Sequence, residues 1–319
     1  MSGVVALDAF DQVGSRYMRE IFPDVVEAGH PLHKTWPEHA VGLFVAKSQV
    51  TADIIHSTKK LKFIVRHGTG YDNIDAGACK EKGIVLCNLP GISAMSVAEL
   101  ALALTGACAK NLVQVSRQIR AGEQLNKRFK SLYSASLLTG KSFGIVGGGR
   151  IGQLTAKKYI GAFEGKIILY DPYIPESGSD WDSIPHVRVP SVEAMAPLVD
   201  VMSLHVPLLP ATRNMITLAV LEKMKPTAIL INVARGGVVK EDDLWQALRE
   251  GVIASAGVDA WMSEPPTKEV YGDILDLENL VMSPHIGGSP AEVQIATCMS
   301  MVDHMKELID GKPPRDRVG

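Results

Sequence analysis

Ser142-Phe-Gly-Ile-Val-Gly-Gly-Gly-Arg-Ile-Gly152 is the stretch whose reading decides the fold. Apolar residues from Phe143 to Val146 run into a glycine cluster, and a helical pattern, Arg150–Ala162, starts at once. Gly147, Gly149 and Gly152 give the spacing G-x-G-x-x-G. The first glycine allows a tight turn, the second lets the backbone approach a pyrophosphate, and the third lets helix and strand pack closely. The phosphates would then sit at the helix N-terminus, beside Arg150 and Ile151. A second apolar run, Lys166–Tyr170, ends at Asp171, 19 positions past Gly152, where a ribose-binding acid is needed. These features predict a dinucleotide site for NAD rather than NADP. Asp171 would accept from the adenosine 2′-OH and repel a 2′-phosphate, and Pro172 and Tyr173 supply no compensating arginine.

Outward from that stretch, strands and helices alternate in both directions, which implies parallel β-α units. Before it, strands are expected at Val4–Leu7, Gly42–Val45, Lys62–Arg66 and Ile84–Cys87, with helices over Val50–Thr58 and Ile74–Lys82. After it come strands 166–170, Val199–Val206, Ala228–Ala234, Ala254–Val258 and Leu280–Ser283, with helices near 150–162, 191–198, 214–225 and 240–250. Ser96–Ala121 reads as one long helix, N-capped by Ser96 with Glu99 completing a capping box, and Gly122 as its stop. Pro290–Gly311 reads as another long helix. The fold class is therefore α/β, with two Rossmann-like domains, each a doubly wound parallel sheet, and an interdomain active-site cleft. The expected boundaries are 1–99 plus 288–319 for a substrate domain and 100–287 for the nucleotide domain.

The bulk properties narrow the function. A chain of 319 residues with 46% hydrophobic residues can bury full cores. A net charge of −2 and a pI near 6.5 suggest neither nucleic acid nor an anionic membrane as partner. The start, Met1-Ser-Gly-Val-Val-Ala-Leu-Asp8, lacks a basic n-region, and no apolar run reaches the 18 or so residues of a membrane span. Cys79, Cys87, Cys108 and Cys298 have no metal spacing, so no metal is expected, and reduced, buried thiols in a cytoplasmic protein are the reading.

In a parallel sheet, ligands bind outside the carboxyl ends of the strands. Arg235 follows the strand Ala228–Ala234, Asp259 follows Ala254–Val258 with Glu264 five residues on, and His285 follows Leu280–Ser283. A carboxylate beside an imidazole fixes its tautomer and raises its pKa toward neutrality, giving an acid/base for a carbon that exchanges hydride. Arg235 offers a two-pronged fork for a carboxylate.

Asn232-Val-Ala-Arg-Gly-Gly237, Gly257-Val-Asp-Ala-Trp-Met-Ser-Glu-Pro-Pro266 and Ser283-Pro-His-Ile-Gly-Gly288 together resemble the Arg-Glu-His set of D-isomer-specific 2-hydroxyacid dehydrogenases. Val65-Arg-His-Gly-Thr-Gly-Tyr-Asp-Asn-Ile-Asp75 resembles that family's substrate loop, Ser96-Val-Ala-Glu99 the start of its hinge helix, and His205-Val-Pro-Leu-Leu-Pro-Ala-Thr-Arg213 its cofactor loop. The resemblance implies Arg235, Glu264 and His285 as catalytic residues. It implies NAD contacts at Gly147, Gly149, Arg150, Ile151, Gly152, Asp171, His205, Val206, Pro207, Thr212, Val233, Ala234, Asp259 and Gly287, with Asp259 on the carboxamide. The amides of Thr69 and Gly70 would join Arg235 on the substrate carboxylate, with Lys47, Arg66, His67 and Gly68 nearby. A homodimer through the helix 96–121 is implied as well. Within the family the loops most resemble 3-phosphoglycerate dehydrogenases. Val45-Ala-Lys-Ser48, however, stands where those enzymes carry a phosphate-binding arginine, and Asn126, beside Lys127 and Arg128, stands at a second basic position. The surplus positive charge of Lys47, Arg66 and His67 favours small polar or anionic 2-oxo acids. The alternatives are 3-phosphoglycerate oxidation proper and an NAD(H)-sensing, corepressor-like role.

Overall fold

Strands buried on both faces need helices on both faces, and the chain supplies them twice. The structure, a computed structural model, describes residues 3–123 and 135–318. It divides into two compact units, residues 1–93 with 288–319 and residues 94–287.

The first unit holds β1 (Val4–Ala6), α1 (Gln12–Ile21), α2 (Trp36–His39), β2 (Gly42–Val45), α3 (Ala52–Ser57), β3 (Phe63–Arg66), α4 (Ala76–Glu81) and β4 (Val85–Cys87). The four strands lie parallel in the order β1-β2-β3-β4. Val26 adds a parallel bridge on the outer side of β1, so the chain order reverses at β1 as a doubly wound sheet requires. Side chains alternate between two cores. Val5, Leu43, Val45, Ile64 and Leu86 meet α3 and α4 on one face. Val4, Ala6, Phe44, Val65 and Cys87 meet α1 and the final helix of the chain on the other.

The second unit runs through α5 (Ala94–Ala109), α6 (Leu112–Arg120), β5 (Ser142–Val146), α7 (Arg150–Phe163), β6 (Lys166–Tyr170), β7 (Val187–Arg188), α8 (Val192–Met195), β8 (Val201–Leu204), α9 (Leu218–Leu221), β9 (Ile229–Asn232), α10 (Glu241–Arg249), β10 (Ser255–Val258), α11 (Lys268–Tyr271) and β11 (Leu280–Met282). Its seven described strands are all parallel, in the order β11-β10-β9-β8-β5-β6-β7. The order reverses between β5 and β8, and a dinucleotide belongs at that point. The last helix, α12 (Ala291–Ile309), returns to the first unit.

Four points differ from the sequence reading. Helix α1 was not foreseen. Its first turn contains Gly14, a poor helix former, because a Cβ there would strike the side chain of Cys298 on α12. The long helix over 96–121 is two helices, bent by 63°. Asn111 stands in the left-handed region at φ 48°, ψ 34°, and ends the first helix. Ser96 caps nothing: α5 starts at Ala94, and the Ser96 hydroxyl donates to the Gly287 carbonyl at 2.5 Å. The short β7 was also not expected as a strand; it extends the sheet beyond β6. No single described helix is long and apolar enough to cross a membrane.

Left-handed backbone is tolerated by asparagine and glycine and penalised for branched side chains. Asn111→Gly is expected to leave the thermal midpoint close to that of the parent. Asn111→Val is expected to cost about 1–2 kcal/mol, read as a lowered midpoint in calorimetry.

Candidate functional site

The carboxyl ends of β9, β10 and β11 are neighbours in one parallel sheet, so the loops after them open on the same edge. After β9, Asn232 is 3% exposed and closes the turn that carries Arg235. Its amide donates to the carbonyls of Arg235 and Ala260 at 3.1 and 3.2 Å, and its side-chain oxygen accepts from the Ala234 amide at 3.1 Å. Val233 and Ala234 are buried beside it. The Arg235 guanidinium donates to the Ala234 carbonyl at 2.8 Å. After β10, the Glu264 carboxylate accepts from the Trp261 amide at 3.1 Å, while the Trp261 indole donates to the Ser283 carbonyl at 2.9 Å. That indole ties the glutamate loop to the histidine loop.

His285 Nδ1 lies 2.8 Å from both oxygens of Glu264. Its side chain and that of Glu264 are 39% and 37% exposed. Burial pushes the Glu264 carboxyl up, but the hydrogen bond and charge of His285, the Trp261 amide and the charge of Arg235 outweigh it and hold the carboxyl below its usual range. Asp259 is 1% exposed. Its carboxylate accepts from the Ser283 hydroxyl at 2.6 Å and the amides of Ile286 and Gly287 at 2.9 and 3.0 Å. It therefore braces the histidine loop, and its second oxygen, bonded only to Gly287, keeps a lone pair for a further donor.

At the reversal of strand order, Gly147 has φ 98°, and a Cβ there would collide with the His205 backbone. A Cβ at Gly152 would fall on the Gly147 carbonyl, whereas one at Gly149 would meet nothing within 4 Å. The turn is thus closed inside and open at Gly149, at the head of α7, beside exposed Arg150 and half-buried Ile151. That open cradle fits a pyrophosphate. Asp171 accepts from the Gly148 amide at 2.8 Å and the Tyr173 amide at 2.8 Å. His205 bonds the Ser203 hydroxyl at 3.0 Å, and burial pushes its imidazole down to about 3, so it is neutral. Thr212 folds the loop after β8 on itself, accepting from the Leu209 amide at 2.8 Å and donating to the Pro207 carbonyl at 2.6 Å. Val206 is half-buried at the start of that loop.

In the first unit, the Asp8 carboxylate receives the amides of Ala46, Lys47 and Ser48 at 2.7, 3.0 and 3.1 Å. The Lys47 side chain is exposed. The Arg66 guanidinium turns back onto the His67 carbonyl. Gly68 has φ 114°, and a Cβ there would strike that guanidinium. Asn88 donates to the Thr69 carbonyl at 2.6 Å, and Gly70 ends the loop half-buried. The reading of His67 as a cation is corrected. Its ring packs 5.4 Å from Phe10, and burial lowers its pKa, so it is neutral at pH 7. Asn126, Lys127 and Arg128 lie outside the described residues. Among those described, no group of His, Cys, Asp or Glu is placed to hold a metal.

Residues that no motif pointed to are Asp8 and Trp181; Asn232 and Trp261 lay inside quoted motifs without a role. A polar residue closing an otherwise apolar strand was the available signal for Asn232. The others act through partners distant in sequence.

Residues 102–287 match the NAD binding domain of D-isomer specific 2-hydroxyacid dehydrogenases. The chain is 41% identical over 278 residues to a hydroxypyruvate reductase of Thermotoga maritima, covering 87% of each. It is 40% identical over 265 residues to a D-3-phosphoglycerate dehydrogenase of Methanocaldococcus jannaschii, covering 83% of this chain and 49% of the relative. The chain thus spans about half the length of the phosphoglycerate dehydrogenases it resembles. A solved D-lactate dehydrogenase from Aquifex aeolicus, complexed with NAD and lactic acid, superposes with a TM-score of 0.84 at 26% identity, over 97% of this chain and 95% of the other.

A carboxyl whose folded pKa is depressed stabilises above its unfolded pKa, and that stability is lost as pH falls through the folded value. Glu264 is such a group while His285 faces it. In His285→Gln, burial is left less opposed and the carboxyl should rise. The thermal midpoint of His285→Gln should therefore fall furthest below the parent near neutral pH, with the gap closing through and below the usual glutamate value of 4.5. A gap independent of pH from 7 to 3 would deny the coupling.

Proposed function

The chain belongs to the D-isomer specific 2-hydroxyacid dehydrogenase family, and from that premise we propose that it is an NAD-dependent reductase of a small polar 2-oxo acid, hydroxypyruvate first among them. The observation that carries the reading is the His285–Glu264 pair at 2.8 Å, on the sheet edge that also presents Arg235. With Nδ1 directed at the carboxylate, Nε2 is the nitrogen left to exchange a proton with a substrate oxygen. In reduction His285 starts protonated and delivers that proton to the carbonyl oxygen; in oxidation it starts neutral and removes it. Glu264 holds the ring in place and stabilises the imidazolium. Arg235 grips the substrate carboxylate through its planar fork and steadies charge growing on the carbonyl oxygen. NADH supplies the hydride. Its pyrophosphate belongs at the Gly149–Ile151 amides, its adenosine ribose at Asp171, and its carboxamide at the remaining lone pair of Asp259. The negative charge of Asp171 supports NAD over NADP.

The match to a hydroxypyruvate reductase of comparable length supports the substrate, as does the exposed ammonium of Lys47, which suits a hydroxyl or anionic far end. The deciding experiment follows NADH and NADPH absorbance across a panel of 2-oxo acids: pyruvate, hydroxypyruvate, its phosphate, a sulfonate analogue and phenylpyruvate. Hydroxypyruvate or an anionic analogue should lead in kcat/KM, with NADH preferred, and Lys47→Ala should lower the anionic members most. A lead for phenylpyruvate, or parity with NADPH, removes the assignment.

Arg235→Ala should raise KM and lower kcat together, by on the order of a hundredfold or more in kcat/KM, because one fork serves binding and the transition state. Arg235→Lys should recover only part of this, since an ammonium cannot make the planar two-point contact. Near-parental kinetics in Arg235→Ala for every acid of the panel would rule out the role.

A further inference from the structure

A buried tryptophan lies directly behind the glycine turn, outside every motif of the chain. Trp181 is 0% exposed, and its indole N–H donates to the Gly148 carbonyl at 2.6 Å. The same carbonyl accepts the Gln153 amide at 3.3 Å. On the other side of the residue, the Gly148 N–H donates to Asp171 at 2.8 Å. Both peptide groups of Gly148 are therefore held by side chains. A Cβ at this position would meet Ile174, Trp181 and Leu169, so the indole abuts the turn with no room between.

We propose that Trp181 is a positioning residue for the cofactor: by holding the Gly148 carbonyl inward, it turns the Gly149 N–H outward to meet the pyrophosphate. The peptide bond is planar and trans, so the carbonyl of Gly148 and the N–H of Gly149 point in opposite directions. Fixing one fixes the other. The Gly149 N–H has no acceptor among the described residues, and its side of the turn is open. An anion site made of backbone amides works only when those amides already point at the anion. The indole is itself braced. Ser179 accepts from the Trp181 amide at 3.3 Å, the His186 ring meets its edge with centroids 5.1 Å apart, and Arg188 donates to the Ile174 carbonyl at 2.8 Å. Arg188 belongs to β7, which pairs with β6. The segment between Asp171 and β7 is thus a back-plate that sets the direction of one peptide.

This rests on the reading that the second unit binds NAD, and binding is measured without turnover to keep the two apart. Trp181→Phe keeps most of the ring volume and removes the donor. NADH affinity is read by fluorescence, ADP-ribose by calorimetry and adenosine, which has no phosphate, by saturation-transfer NMR. NADH and ADP-ribose should weaken by up to about tenfold, the range of one lost hydrogen bond, and adenosine should not change. Gln153→Ala, at a half-buried side chain, should show the same pattern with a smaller loss, and it carries the test if Trp181→Phe does not fold. Equal weakening of adenosine and ADP-ribose, or no weakening of either, overturns the proposal. A parent chain that binds neither NADH nor ADP-ribose defeats the cofactor reading itself.

Discussion

The carboxylate of Asp259 is the tie on which the candidate catalytic residues depend. A charge that is 1% exposed must be met by donors, and it is met by Ser283, Ile286 and Gly287. The backbone of the same residue donates to Asn232 at 2.9 Å and accepts from His285 at 2.9 Å. One residue therefore joins the ends of β9, β10 and β11, which carry Arg235, Glu264 and His285. Removal of its side chain would orphan two loop amides and a hydroxyl together, and such unmet groups cost more than the bonds contribute. His285 also holds φ 58°, a conformation that a histidine keeps only when its surroundings impose it. The amides on either side of that position, His285 and Ile286, are both bonded to Asp259.

The same device recurs. Asp8, just past β1, receives three consecutive amides of the loop after β2. Asp171, past β6, receives an amide of the turn after β5. In each case an aspartate at the carboxyl end of one strand closes a loop of the strand beside it. An ionised carboxylate is acceptor-only with several lone pairs, and a parallel sheet brings its strand ends to one edge. Loops that must expose some amides to a ligand can leave them open only if their other amides are held. At the glycine turn, Gly148 is held and Gly149 is open.

Much of this was legible in the sequence, and the reasons are local. The strands of both units are short apolar runs closed by glycine or polar residues, so their places and their parallel arrangement followed from alternation with helices. The candidate residues Arg235, Glu264 and His285 came from asking what stands just past each strand. The failures have a common cause in packing. The segment of α1 was given no element, and its Gly14, a poor helix former, is there to lie against Cys298. Ser96 and Glu99 made a capping box on paper, but the Ser96 hydroxyl bonds Gly287, far along the chain, and the helix starts before it. His67 counted as a charge until burial against Phe10 made it neutral.

Trp181 marks the limit of such reading most clearly. The glycine spacing establishes that a turn forms and that a backbone can approach a phosphate there. It says nothing about which way the central peptide faces, because glycine itself permits either orientation. The choice falls to a partner 33 positions away, in a segment whose sequence has no periodicity of its own. A motif built from small residues gains its freedom by giving up side chains, and the direction it lacks has to be imposed from outside. The residue that imposes it needs only a donor at the right height and a rigid seat, and both depend on how β7 and the loop before it fold back onto the sheet. Sequence spacing records the permission, while tertiary packing records the decision.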